Sequence, residues 1–232
     1  MRIKNIELSL SEQFVILDIL SKKISKNKKV KLLNGKIYSI ASIFIELFSD
    51  CKISFDEKQN VIFLETELTG VEFKDIILQT IISKKPMTLK EWIEYFYAHN
   101  KLSTHIYNSI IENLINKRVL ELTSTNAFLA SSKKIYVDSK KICNSIIEKI
   151  KSEILEDCNM DETTLHLTFL LSSNKILDLY FSEYEYNSIN NRISKIYENN
   201  CYEELNIIKK SISDTNMFPM VTLVRNIVTK VV

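Results

Sequence analysis

Seven lysines fall between positions 22 and 36, in KKISKNKKVKLLNGK, with no acidic residue among them. Ammonium groups at this density attract an anionic surface. The whole chain is net +2, so the remainder is net −5 (+2 less 7), and one segment carries all the excess positive charge. At an anionic leaflet each such cation contributes about 1 kcal/mol. Leu32 and Leu33, inside the segment, offer shallow insertion. The same lysines would equally suit a solvated loop that keeps the protein in solution, and composition leaves both readings open.

Other residue types capable of chemistry form no recognisable constellation. The histidines are His99, His105 and His166, and the cysteines Cys51, Cys143, Cys158 and Cys201 are scattered with no C-x-x-C. Neither set has zinc-ligand spacing, so no metal is expected. Only Gly35 and Gly70 occur, which excludes glycine-rich phosphate cradles and dinucleotide fingerprints, and no cofactor is expected. No nucleophile-elbow pattern is present. The acidic pairs Glu65/Glu67 and Glu203/Glu204 read as solvated surface. The expectation is a protein that is not an enzyme.

The elements that would position the lysines can be read from periodicity and caps. Ser9 and Glu12 form an S-x-x-E capping box ahead of an apolar run, predicting a helix over 10–22 with Phe14, Ile16, Leu17, Leu20 and Ile24 inward. The lysine loop follows, with Gly35 as its turn residue. IYSIASIFIELF, at 37–48, has Glu46 as its only charge. A helix apolar on all faces belongs inside a bundle. It is too short to span a bilayer, which takes roughly 20 apolar residues.

Two short strands, 52–55 and 61–64, then flank the polar DEKQN as a hairpin. A helix is predicted to open at Thr69 or Gly70 and to stop before Pro86. Thr88 and Glu91 repeat the capping box before a tryptophan helix, and Ser103 is read as the cap of the next. Strands are predicted at 119–122 and 127–130, then a helix capped by Asp138 and running to about Leu155. Helical segments follow at 161–181, 186–198, 202–213 and 217–232. The order helix, helix, strand, strand over 88–122 is winged-helix-like. Its second helix, THIYNSIIENLINK, has few cations and carries Glu112, so a structural helix pair is preferred and no nucleic acid is expected.

The fold class is thus mainly α: a helical bundle around a buried central hydrophobic helix, with one or two short β-hairpins. With 232 residues, two glycines, two prolines and no repeat or linker, the chain is expected to form one domain over 1–232. No signal-peptide pattern is seen near the start, and the unpaired cysteine pattern suggests reduced thiols in a cytoplasmic protein.

The order of these features resembles the Golgi phosphoprotein 3 family, which has relatives in bacteria. LSLSEQFVILDIL resembles its first-helix signature and SIFIELFSDCKI its central segment. MTLKEWIEYF and NLINKRVLEL are similar to its tryptophan helix and to the end of the helix that follows. MDETTLHLTFLLSSNKIL and EYEYNSINNRI resemble its C-terminal helices. The likeness covers essentially the whole chain.

The resemblance implies phosphatidylinositol 4-phosphate binding in a basic pocket, and the role of a peripheral membrane adaptor on the cytosolic face. It also implies a self-association hairpin over about 120–132, with Phe128 and Leu129 as apolar contacts, and hence a homo-oligomer and a protein cargo. Residue by residue, the family's loop tryptophan falls near Lys31. Its arginine opening the central helix falls at Ile40, and two further arginines fall at Thr104 and Tyr107. Arginine is the side chain suited to bidentate phosphate contact, whereas lysine is a point charge. The resemblance thus implies lipid-headgroup positions at Lys28, Lys29, Lys31, Lys36, Thr104 and Tyr107, of which the four lysines would build a less selective anionic-lipid surface. The alternative is a soluble protein–protein interaction module that keeps the fold and has lost the lipid.

Overall fold

A computed structural model describes residues 7–28, 30–64, 67–124, 134–138, 141–156, 161–199, 207 and 210–211. The first helix, α1 (Leu10–Lys28), opens on the expected capping box. Ser9 N donates to Glu12 Oε2 at 2.8 Å, and Glu12 N donates to Ser9 Oγ at 3.5 Å. The helix extends six residues past the predicted end at Lys22, because its lysine, serine and asparagine residues include no glycine or proline to stop it. Lys26 and Lys28 in its last turn also suit the negative end of the helix dipole. Much of the expected lysine loop is therefore helix, and a short connection around 30–34 leads into α2 (Gly35–Ser49).

Helix α2 confirms the inference from its missing polar face: Gly35 and every residue from Ile37 to Phe48 are buried. It packs against α1, α4 (Leu89–Ala98), α5 (Asn100–Asn116) and α7 (Glu162–Ser173). Its lone acid, Glu46, accepts Ser11 N at 2.5 Å and pairs with Lys74 Nζ at 3.0 Å, so the buried charge is matched. Gly35 begins α2 and is not a loop-turn residue. A Cβ there would collide with the Asp18 carboxylate, so glycine permits the close approach of α1 and α2.

The remaining elements wrap this pair. Strands β1 (Ile53–Phe55) and β2 (Val61–Phe63) pair antiparallel, with Ile53 opposite Phe63, and Phe55 stacks on Phe48 at 4.4 Å. Helix α3 (Glu72–Ile82) starts two or three residues later than expected, because Asp75 captures Thr69 N and Gly70 N in a loop where Gly70 has φ +75°. The Thr88 capping box of α4 is present with both reciprocal bonds. Ser103 is not a cap: α5 begins at Asn100, and the Ser103 hydroxyl donates back to the carbonyls of Phe96 and His99.

Strand β3 (Leu120–Ser124) pairs antiparallel with β4 (Lys134–Asp138), Leu120 facing Asp138. The strand expected at 127–130 lies outside the described residues. Asp138 caps α6 (Ile142–Ile150) by accepting Ile142 N and Cys143 N at 2.9 and 2.8 Å. A π-helical turn, Lys151–Leu155, continues it. The segment predicted as one helix over 161–181 divides into α7 and α8 (Leu177–Tyr180) at Lys175, whose φ is +62°. Helix α9 (Glu183–Asn199) follows. Of the two segments predicted after it, only residues 207, 210 and 211 are described, all helical.

The helix pair α4–α5 does precede a two-stranded sheet, but α5 is committed to the core. Ser103, Ile106, Tyr107, Ser109, Ile110, Ile111 and Leu114 are all buried, so one face of the helix packs inward. The architecture is mainly α with two short antiparallel strand pairs, as the sequence implied.

Candidate functional site

The site forms where the middle of α1, the start of α2 and the first half of α5 meet. Asp18 and Lys22 are one turn apart on α1, so both point the same way. Asn100, Thr104 and Tyr107 recur at helical spacing on one face of α5. Lys36, the second residue of α2, donates to Asn100 Oδ1 at 3.1 Å and to Thr104 Oγ1 at 2.7 Å. Lys22 Nζ lies 2.8 Å from Asp18 Oδ2 and 3.1 Å from Tyr107 Oη. Its ammonium also stands over the Tyr107 ring, 5.0 Å from the centroid. Tyr107 Oη itself donates to Asp18 Oδ2 at 2.5 Å.

Asp18 is the hub of this arrangement. Its side chain is 1% exposed, whereas that of Lys22 is 54% exposed, so the ammonium roofs a buried carboxylate. Asn174, at the C-terminal cap of α7, donates to Asp18 Oδ1 at 3.4 Å and accepts Leu33 N at 2.8 Å. One asparagine therefore ties the α1–α2 connection to the hub. Burial and the neighbouring Asp18 charge raise the Tyr107 hydroxyl well above its ordinary value, so it remains a neutral donor. At the rim Lys22 is exposed with its ammonium paired to Asp18, and Lys36 is half-buried with its ammonium bonded to Asn100 and Thr104.

The structure brings three of the sequence-predicted residues, Lys36, Thr104 and Tyr107, to this site. Lys28 serves another group: its ammonium donates to the Leu179 carbonyl of α8 at 2.8 Å. Lys31 is exposed on the connection, and Lys29 lies outside the described residues. Leu32 and Leu33 are half-buried and pack partly against the core. Ile40 is fully buried in α2. Phe128 and Leu129 lie outside the described residues.

Sequence reasoning missed Asp18, Asn100 and Asn174, and gave Lys22 no particular role. Asp18 did carry a signal, as the lone acid inside the apolar run FVILDIL, four residues before a lysine. Asn174 lies 156 residues from Asp18 and has no local pattern that would mark it.

Elsewhere, buried acids are used structurally. Glu12 receives Lys117 Nζ at 2.7 Å and Asn113 Nδ2 at 2.9 Å. Lys74 bridges Glu46 to Asp50, 2.8 Å away. Among the described residues no group of His, Cys, Asp and Glu has the arrangement to hold a metal ion. No described helix is long and apolar enough to cross a membrane.

Comparison with known proteins adds one positive finding. A family model described as Golgi phosphoprotein 3 (GPP34) matches residues 40–215. No curated protein matches the chain. The matched range begins inside α2, so it takes in Thr104, Tyr107 and Asn174, while Asp18, Lys22 and the lysine segment precede it. A match across about three quarters of the residues, on a mainly helical fold built around a buried central helix, places the chain in a family: it belongs to the Golgi phosphoprotein 3 family.

Proposed function

We propose that the protein is a non-enzymatic peripheral membrane protein that meets an anionic phospholipid surface with its lysine-rich face. The observation that carries this reading is the charge distribution: seven lysines and no acid over 22–36, against a net negative remainder. Lys22 places part of that charge on the exposed side of α1 and Lys36 places more at the start of α2, and Lys31 extends it onto the exposed connection. At about 1 kcal/mol for each cation near the leaflet, a handful of them holds a protein reversibly on a bilayer. Family membership supports an adaptor role, with a protein cargo and self-association through the segment containing Phe128 and Leu129 as further parts of the proposal.

Co-sedimentation tests it with vesicles of phosphatidylcholine alone, with added phosphatidylserine, and with added phosphatidylinositol 4-phosphate at matched charge. The protein should pellet with both anionic compositions and stay in the supernatant with the neutral one. Failure to pellet with any anionic vesicle at low salt would leave the second reading, a soluble protein–protein interaction module. The specific observation favouring that alternative is Ile40, an apolar core residue at the position where the family resemblance places a phosphate-holding arginine.

A further inference from the structure

We infer that Asp18 is a built-in counter-anion that prevents this site from selecting a phosphomonoester headgroup, so that the protein reads total negative surface charge instead. The inference rests on the membrane reading above and names the lipid class that the same site takes: anionic phospholipid in general.

The geometry is that of a place already filled. The donors that a bound phosphate would need are aimed at a carboxylate belonging to the protein. Tyr107 Oη donates to Asp18 Oδ2 at 2.5 Å, Lys22 Nζ stands 2.8 Å from the same oxygen, and Asn174 Nδ2 donates to Oδ1 at 3.4 Å. The start of α2 passes directly against that carboxylate. Gly35, its first residue, leaves space for the Asp18 oxygens that a Cβ would take. Lys36, the other cation of the site, is bonded to Asn100 and Thr104.

A phosphate entering here would have to displace a carboxylate tethered to the same chain, or share the pocket with it. Sharing sets two like charges within a few ångströms in a partly dry site, where repulsion is several times stronger than in water. Displacement strands a side chain that is 1% exposed, away from every partner that satisfies it. Neither obstacle touches long-range attraction. Lys22 remains half exposed, and the field of the lysine segment reaches an anionic leaflet without any lipid entering the site.

The full-length protein and the variant Asp18→Asn separate these ideas in two measurements. First, wild-type affinity is compared on phosphatidylcholine vesicles carrying phosphatidylserine or phosphatidylinositol 4-phosphate at equal total charge. The two should agree within about twofold, because the attraction is set by charge density. A preference of about tenfold or more for phosphatidylinositol 4-phosphate, a difference in kind on the affinity scale, overturns the inference without any variant. Second, inorganic phosphate is titrated into both proteins and followed by amide chemical shifts of α2 and α5. Wild type should give no saturable shift. Asp18→Asn, with its helical circular dichroism intact, should give saturable shifts at the start of α2 and around Tyr107, and about a fivefold preference for phosphatidylinositol 4-phosphate over phosphatidylserine vesicles of equal charge that the wild type lacks. A folded Asp18→Asn that shows neither gain overturns the inference. If wild type binds no vesicle at all, the membrane reading fails by itself, and the phosphate titration still decides the role of Asp18.

Discussion

Burial decides the protonation of single residues in this protein, and His166 is the clearest case. It lies within α7 with its side chain 4% exposed, and its Nε2 finds no hydrogen-bond partner among the described residues. Burial disfavours the imidazolium and pushes the group down from 6.5 to about 4, although the Asp161 carboxylate opposes the shift. Glu162 Oε1, 3.9 Å away, is half exposed and does too little to reverse it. The sign follows directly. The unfolded chain takes up a proton near 6.5 and the folded chain only near 4, so stability is constant above 6.5 and falls as pH drops between these values. The full loss by the acid end of that window is about 3 kcal/mol for this one residue. Urea unfolding across the window should show that decline in the wild type, and His166→Leu should remove most of it. An acid limb of the same size in the variant would mean that other groups carry the effect.

Asp18 shows how far site residues can be read at this scale. An acid alone among Phe14, Val15, Ile16, Leu17, Ile19 and Leu20 has to be satisfied or excluded, and Lys22, one turn on, is the one partner with a local signal, one that sequence reasoning passed over. The other partners come from α5 and α7 and meet Asp18 only once three helices have packed. Thr104 and Tyr107 were reached through family resemblance, and the structure gives them their partners. Neither periodicity nor charge would have selected them, since Tyr107 looks like any other inward residue of α5.

At the scale of elements, caps and breakers carried most of the legible information. The boxes at Ser9 and Thr88 were readable because the hydroxyl and the carboxylate satisfy one another at a fixed spacing. Thr88 N donates to Glu91 Oε2 at 2.7 Å and Glu91 N returns to Thr88 Oγ1 at 3.3 Å. These backbone and side-chain bonds hold the Glu91 carboxyl below its usual value. Thr88→Ala removes the acceptor for one orphan N–H and should cost about 1 kcal/mol, read as a lower urea midpoint with an unchanged slope. An unmoved midpoint would show that packing of Trp92 and Phe96 alone holds the start of α4. Ser103 misled for a definite reason: a hydroxyl that bonds back to a carbonyl inside a helix has the same sequence as one that caps it. The end of α1 was missed because KKISKNK contains no breaker, and a solvated lysine run looks alike as loop or as helix. The central helix was legible from the outset because a segment with no polar face has one place to go.

The whole molecule is electrically lopsided, and the lopsidedness has a length scale. Helix α2 has 15 residues, so its two ends are about 22 Å apart. Lys31 lies just before its start, and the exposed β1–β2 turn containing Glu57 follows its far end. Charges screen over about 8 Å at physiological ionic strength. A surface held by the lysine end therefore feels Lys31 strongly and Glu57 hardly at all. Reversing Lys31 with Lys31→Glu changes the local charge by two, and at about 1 kcal/mol for each charge that lowers affinity for phosphatidylserine vesicles by roughly 30-fold. Glu57→Lys makes the opposite change in net charge and should leave affinity within about twofold, because it follows the far end of α2, whose length is nearly three screening lengths. Raising salt to about 1 M shortens the screening length to about 3 Å and should release the wild type from the same vesicles. Vesicle flotation reads all three. Equal and opposite effects of Lys31→Glu and Glu57→Lys would mean that net charge alone governs the association, and that the fold does not present one end of itself to the membrane.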